Sequence, residues 1–481
     1  MVNDSSINNE SRQALGSLSR MSMGDVQHTY QINETVKVNI VLFDHYKKPK
    51  TRGGDMLVVW MKDPQHGAAS AGTVIDHGNG TYTGVLRTLW TGRAIIRAAM
   101  ISSRERMTHI YRSFQNGYFG KKITCTFRSN TATEATRGYM DMRYMKKRPF
   151  CNLTADYFGV PFYCEKPKAK GIRCHDWAET SLPHNYMTFG ADTRWFAERT
   201  STEIIPDSIR INISPNRQEK RSPSIPCGRR NFRDTWLATP PVGYSYNNTW
   251  RPLSCWNSVH VDMYNQCLAN RTLILFGDST VRQMFGELLP ILNFTLIRGP
   301  PIVQGTRNWF TWNSAFEAYN EKYNYTVFWM PHGFPMAFSK VNTKLSQPVF
   351  AHLDAIPPGS TDIILINLYA HFHFVPFHIY RDRVHRTRLA IENLLKRSPD
   401  VKIAIKGPHK FSVPKPITPL GGMWGPAYEN ILKREFVNLY DRVLYLDIWD
   451  MTVAFENEDI HPNGLLVNMM VQVFFGYICG N

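Results

Sequence analysis

The chain has 481 residues, too many for one ordinary domain, and its 43% hydrophobic and 13% aromatic content is enough for real cores, which excludes a wholly disordered protein. Its formal net charge of +17 admits nucleic acid, acidic glycans or anionic membranes as partners, but no zinc-finger, RRM or basic-helix pattern supports nucleic acid. No apolar run of about 18 residues offers a membrane span, and no dinucleotide or P-loop fingerprint points to a nucleotide cofactor.

Residues 1–26 are Ser- and Asn-rich, lack an apolar leader core, and read as a disordered tail. Residues 27–118 carry a β pattern. Val36, Val38, Ile40 and Leu42 alternate, a Lys/Pro/Gly turn follows, and Met56–Met61 and Ala94–Ile101 read as further strands. Short strands separated by Gly-rich turns such as Asp76–Tyr82 suggest a β-sandwich of immunoglobulin type, serving as a packing or spacer module. Residues 119–250 are rich in Pro, Arg, Lys and Cys and read as an irregular, basic, disulfide-stapled linker, its Lys/Arg clusters solvated.

From 251 to 481 strands and helices alternate. Strands are expected at 272–276, 325–330, 363–366, 401–406 and 442–447, and helices at 380–397, 426–439 and 465–477. This βαβ rhythm implies a doubly wound, mostly parallel α/β sheet. The eight cysteines, Cys125, Cys151, Cys164, Cys174, Cys227, Cys255, Cys267 and Cys479, show no CxxC or Cys/His zinc spacing. They read as a disulfide framework of open connectivity, not a metal site. Asn-x-Ser/Thr sequons are frequent, and beside an even cysteine count they point to the secretory lumen.

The chemistry concentrates in Thr272–Leu289, TLILFGDSTVRQMFGELL. An apolar strand is broken at Gly277-Asp278-Ser279, and Val281, Met284, Phe285, Leu288 and Leu289 then recur on one helix face. Ser279 is expected on a tight strand-to-helix turn, at the carboxyl end of a strand and at a positive helix end. An ordinary helix start capped by Asp278 or Ser279 is the plain alternative. Two later stretches supply possible partners. DIILINLYAHFHF places Asn367 at a strand end, with His371 and His373 close behind; EDIHPNG places His461 beside Glu458 and Asp459. A hydroxyl nucleophile needs a base, the base an orienting carboxylate, and the oxyanion a donor.

Ser early, Asn in the middle and Asp/His late is the layout of SGNH/GDSL-type acyl hydrolases and acyltransferases. Gly277-Asp278-Ser279-Thr280-Val281-Arg282-Gln283 resembles the GDS-x-x-R block of the PC-esterase branch, which includes polysaccharide and sialate O-acetyltransferases. Over residues 27–481 the chain resembles the NXPE family, which joins a neurexophilin-like half to a PC-esterase domain. The resemblance implies Ser279 as nucleophile, His461 as base, and Asn367, the Ser279 N–H and a Gly within 299–305 as oxyanion donors. Arg282 supports the site, and His371 and His373 are the histidines placed best to face substrate. Asp-x-x-His is usual in SGNH enzymes, whereas Asp459 lies two residues before His461 and Glu458 three; Asp459 is preferred from the family's own pattern, and the choice stays open.

The activity that the resemblance implies is glycan O-acetyl transfer, with sialic acid on secretory glycoproteins as acceptor. It needs no tightly bound cofactor and takes acetyl-CoA or another acetyl donor as co-substrate. Relatives begin with a signal or signal-anchor segment, so a targeting segment is expected outside the given chain, with Golgi residence or secretion. An O-acetyl esterase uses the same serine chemistry. A silent glycoprotein whose N-terminal half binds a cell-surface protein is the alternative from a different class. Trp424 is a candidate sugar platform or a loop-packing side chain.

Overall fold

The structure is a computed structural model that describes residues 10–24, 29–115, 123–145, 148–182, 202–215, 223, 225–257, 260–299, 315–335, 340–341, 346–412 and 421–480. Two mostly antiparallel sheets occupy the N-terminal part. The first runs in the order Ala14–Met23, Thr35–Asp44, Thr81–Arg87, Thr73–Asp76. The second contains Thr249–Pro252, Gly243–Tyr246, Ala68–Ala71, Met56–Asp63, Gly92–Ser102, Ile209–Ser214 and Thr29–Gln31, with Glu203–Ile204 paired to Gly92–Ser102. Alternation decides which face is buried. Val36, Val38 and Ile40 of one sheet and Val59, Met61, Ile96 and Ala98 of the other share a single apolar core.

Two expectations are corrected. The tail assigned to residues 1–26 contains the strand Ala14–Met23, whose Met21–Met23 segment pairs with Val38–Ile40. Its Ser-rich composition hides it: Ala14 and Met21 lie in the core, Met23 packs against it, and the backbone completes the sheet edge. Residues 119–250 are not an irregular linker. Phe150–Asn152, Tyr163–Glu165, Thr133–Tyr139, Ile123–Arg128 and Trp177–Ser181 form a sheet that is completed by Lys340–Val341 from the C-terminal half. The later strands of the region return to the second N-terminal sheet. Cys125, Phe127, Phe162 and Trp177 share a core with Phe334, Phe372 and Tyr380, so the region is packed into both neighbours.

The C-terminal sheet has seven strands: β1 (Thr272–Gly277), β2 (Thr295–Arg298), β3 (Phe316–Asn320), β4 (Tyr325–Pro331), β5 (Ile363–Ile366), β6 (Lys402–Lys406) and β7 (Val443–Leu446). Their order is β2-β3-β4-β1-β5-β6-β7. The five strands from β4 to β7 are parallel, and β2 and β3 add an antiparallel edge, so the sheet is mixed. The chain leaves β1, builds β2 to β4 on one side, then crosses to build β5 to β7 on the other. β1 therefore sits where the strand order reverses, and the crevice beyond its carboxyl end is the place such sheets offer to a ligand.

Five of the helices that flank this sheet are α1 (Ser279–Leu292), α2 (Phe377–Arg397), α3 (Gly425–Glu435), α4 (Trp449–Ala454) and α5 (Gly464–Cys479). Leu273 and Leu275 of β1 pack with Val281, Met284, Phe285 and Leu288 of α1 and with α5. Ile274 and Phe276 point the other way, toward Ile379, Tyr380 and Val384 of α2. α1 ends at Asn293 in the left-handed conformation (φ 46°), which closes the helix and turns the chain toward β2. Among the described residues no helix is long and apolar enough to cross a membrane.

All eight cysteines are paired, as Cys125–Cys164, Cys151–Cys174, Cys227–Cys255 and Cys267–Cys479, which fits a secreted or lumenal protein. The last bond spans 212 residues and ties α5 to the segment before β1. Replacing both Cys267 and Cys479 by Ala should cost about 3–5 kcal/mol, since long loops gain most from closure. Thermal unfolding checks this, and an unchanged midpoint would mean that packing alone holds α5.

Candidate active site

Gly277 closes β1 because a side chain has no room there: a Cβ would lie 2.5 Å from Val281 Cγ2 and 3.2 Å from Asn367 Cβ. Asp278 follows in extended conformation as the N-cap of α1. Its carboxylate accepts the Thr280 N–H at 2.9 Å, the Thr280 hydroxyl at 2.6 Å and the Ala370 N–H at 3.1 Å. The plain reading of this turn as a capped helix start is thus correct for Asp278, and it leaves Ser279 as the first helical residue.

Asp278 is wholly buried. Burial opposes its charge, but His371, Lys406, the Thr280 hydroxyl and His332 outweigh it and hold the carboxyl well below the usual carboxylate range. Lys406, at the end of β6, is buried too, and desolvation pushes its ammonium down to about 8 while Asp278 pulls the other way. Its Nζ lies 3.4 Å from Thr280 Oγ1. Asp278 is therefore the anchor of the turn, with both carboxylate oxygens engaged by donors of the turn and of the segment after β5.

Ser279 Oγ lies 2.7 Å from His461 Nε2 across 182 residues of chain. The imidazole arrives on the loop between α4 and α5, and that loop is tied down at nearly every residue. Asn457 Nδ2 donates to the carbonyls of Lys410 at 2.8 Å and Asp459 at 2.7 Å. His409 Nε2 donates to the Ile460 carbonyl at 3.0 Å, and Gln283 Nε2, one turn beyond Ser279, donates to the Pro462 carbonyl at 2.8 Å. Asn463 then caps α5 through the Leu466 N–H.

Of the two carboxylates beside His461, Asp459 accepts the His461 backbone N–H at 2.9 Å, whereas Glu458 turns away to the Lys410 ammonium and the Ser412 hydroxyl. Asp459 is the one at the histidine, and the contact shapes the loop. Arg282 lies on α1 with its guanidinium 5.4 Å from the centre of the Trp329 ring. Burial lowers its pKa, against the charge of Asp278.

Three expected roles do not match the geometry. Asn367 stands at the end of β5, but its amide donates to the Lys406 carbonyl at 3.0 Å, so it braces β5 against β6 rather than aiming at a substrate. His373 is 2% exposed and stacks between Phe411, with centroids 4.9 Å apart, and Tyr428. It is a core side chain and not a substrate contact. His371 is buried against His332, Nδ1 to Nε2 2.9 Å, and faces Asp278 electrostatically, behind the turn that carries Ser279. Trp424 packs edge-on against Phe377 in the core. The glycine expected within 299–305 falls outside the described residues except for Gly299. Lys406 and the anchoring role of Gln283 were not anticipated. A lysine closing the apolar run Lys402–Lys406 was the available signal, since a charge at a buried strand end needs a partner.

Among the described residues no group of three or more His, Cys, Asp or Glu side chains could hold a metal. The chemistry this arrangement offers is that of a hydroxyl held by an imidazole at a helix N-terminus.

Burial pushes His332, His373 and His409 each down to about 3. Each is neutral when folded and takes a proton near its ordinary value when unfolded. Their contribution is whole above about pH 6.5 and is lost as pH falls toward about 3, at up to ~1.4 kcal/mol per pH unit for each ring. The thermal midpoint should fall steeply from about pH 6.5 to about pH 4, and His373→Phe, which keeps the stacking, should flatten that slope. Equal slopes in the two proteins would show that His373 titrates alike folded and unfolded.

Residues 250–479 match the family model described as NXPE family member 4-like, C-terminal domain, and residues 6–177 match the model described as Neurexophilin. Among solved structures, one of the Escherichia coli adhesin FdeC aligns at 11% identity over 42% of this chain and 65% of that one, with a TM-score of 0.15, too low to carry a fold argument.

Proposed function

Because this chain belongs to the NXPE family, with a neurexophilin-like N-terminal part and a PC-esterase-like C-terminal domain, we propose that it is a serine O-acyltransferase of the secretory pathway. The acetyl group passes from an acetyl donor such as acetyl-CoA to a glycan hydroxyl, with sialic acid of glycoproteins as acceptor and the Golgi as its compartment. The single observation that carries the reading is the 2.7 Å contact between Ser279 Oγ and His461 Nε2 at the switch point of the sheet.

Ser279 donates its proton to His461 Nε2 as Oγ attacks the acyl carbonyl, and the tetrahedral oxyanion forms over the N-terminus of α1. The Ser279 backbone N–H and the helix end supply the positive field there. Collapse expels the donor's leaving group, which takes the proton from His461, and leaves an acetyl ester on Ser279. The acceptor hydroxyl then gives its proton to His461 and attacks the ester, and the same imidazole returns the proton to Ser279 as the sugar ester departs. Asp459 and Gln283 keep the loop in register so that the imidazole meets the hydroxyl. An SGNH-like assignment of the domain is supported by the serine turn, the late histidine loop and the parallel strands between them.

Expression of the parent chain in cells should raise O-acetylated sialic acid on glycoproteins, read by mass spectrometry, and Ser279→Ala or His461→Ala should remove the increase, a loss of at least about 10³-fold in rate. Equal acetylation by parent and Ser279→Ala would sink the enzyme reading and leave the N-terminal part as a binding module on a silent scaffold. Loss of acetyl groups with the parent, and none with Ser279→Ala, would reassign the same serine to an esterase.

A further inference from the structure

A second cleft lies away from Ser279, where Met140, Met142 and Val160 of the N-terminal part meet Ile379 and Arg383 of α2. Its volume is about 320 Å³. Neither Ser279 nor His461 lines it.

The charges around this cleft do not balance. Asp141 is satisfied by Arg143, whose Nη2 is 2.6 Å away, and by His378 Nε2 at 2.7 Å. Asp382 is paired with Arg386 Nε at 2.9 Å. Both carboxylates of the cleft therefore have cations of their own. Arg383 has none: it is 1% exposed, has no ion pair among the described residues, and its Nε and Nη1 have no hydrogen-bond partner. Its guanidinium carbon lies 6.0 Å from the Tyr157 ring centre and 5.8 Å from that of Phe372, and Tyr157 also shares a hydrogen bond with it. Aromatic faces ease a buried cation without neutralising it. The buried carboxylate at the serine turn, Asp278, is already answered by Lys406 and His371.

A buried guanidinium with unused donors at a cleft is complementary to a group with two or three acceptor oxygens and a negative charge. The apolar walls given by Met140, Val160 and Ile379 suit a body with an apolar flank, and the volume suits one sugar-sized unit rather than a chain. We propose that this cleft binds a small oxyanion, a carboxylate or a phosphate carried on a body of about one sugar ring, with Arg383 as the recognising cation. The site is independent of the serine chemistry and stands or falls without it.

The test is isothermal titration calorimetry on the full chain with three probes: glucuronate, inorganic phosphate and neutral glucose. Saturable binding of glucuronate or of phosphate, with none of glucose, is expected; which anion binds tells a carboxylate source from a phosphate source. Arg383→Gln should weaken that binding about tenfold or more. Should Arg383→Gln fold poorly, Met142→Glu decides, since Met142 is 49% exposed at the rim and a carboxylate placed there competes with the probe. Undiminished anion binding in Met142→Glu, binding of glucose as tight as that of the anions, or no saturable binding of either anion would overturn the proposal.

Discussion

The site is organised around keeping one carboxylate ionised where no water reaches it. Asp278 is wholly buried, and an isolated carboxylate there would neutralise or drag the turn apart. Three hydrogen bonds, from the Thr280 N–H, the Thr280 hydroxyl and the Ala370 N–H, engage both of its oxygens. Lys406 and His371 supply the opposing charge. These donors come from α1, from the segment after β5 and from the end of β6, so one charge fastens three strand ends together. Ser279 inherits its place from that knot: it is the residue after the cap, held at the rim of the sheet by a turn that cannot relax without baring Asp278.

The knot also explains how the chemistry was legible in the sequence and where legibility stopped. Leu273–Phe276 followed by Gly-Asp-Ser and a helical apolar period could only be a buried strand, a tight turn and a helix, so the position of Ser279 followed from local pattern. His461 was legible as a histidine beside acids late in the chain, and its meeting with Ser279 came from the family resemblance rather than from spacing. The roles of Asn367, His371 and His373 were not legible, because a polar residue behind a strand end can face the crevice or the layer beneath it. The stacking of His373 between Phe411 and Tyr428 depends on two segments far along the chain. Lys406 escaped notice for the opposite reason: a terminal lysine on a strand usually reaches water, and only tertiary packing seals this one.

The same distinction runs through the N-terminal part. The long alternating strands Thr35–Asp44 and Gly92–Ser102 bury every second residue along much of their length and announce themselves. Ala14–Met23 carries few apolar side chains and is a strand because its backbone finds a partner edge. The cysteine-rich middle of the chain has strands of three to seven residues, and Phe150–Asn152 and Tyr163–Glu165 are too short to show a period. Its order comes from two disulfides and from rings such as Phe162 and Trp177, which stack in a core shared with the α/β domain.

That sharing bears on why the two parts occur in one chain. The loop that delivers His461 begins at Glu456, a residue in the left-handed conformation (φ 54°) right after α4. Its carboxylate accepts the Trp60 indole N–H at 2.9 Å and the Lys62 ammonium at 2.5 Å, both from the strand Met56–Asp63 of the N-terminal sheet. On the far side of the loop Ser412, which holds Glu458, is bonded to Thr202 at 2.7 Å. An imidazole must be placed to within a fraction of an ångström to serve a hydroxyl, and a loop pinned only by its own domain would have to obtain that precision from Asn457, His409 and Gln283. Here the N-terminal sheet supplies a further wall on which the loop rests. The N-terminal part that the strand pattern suggested as a spacer is, by these contacts, part of the frame around the loop that carries His461.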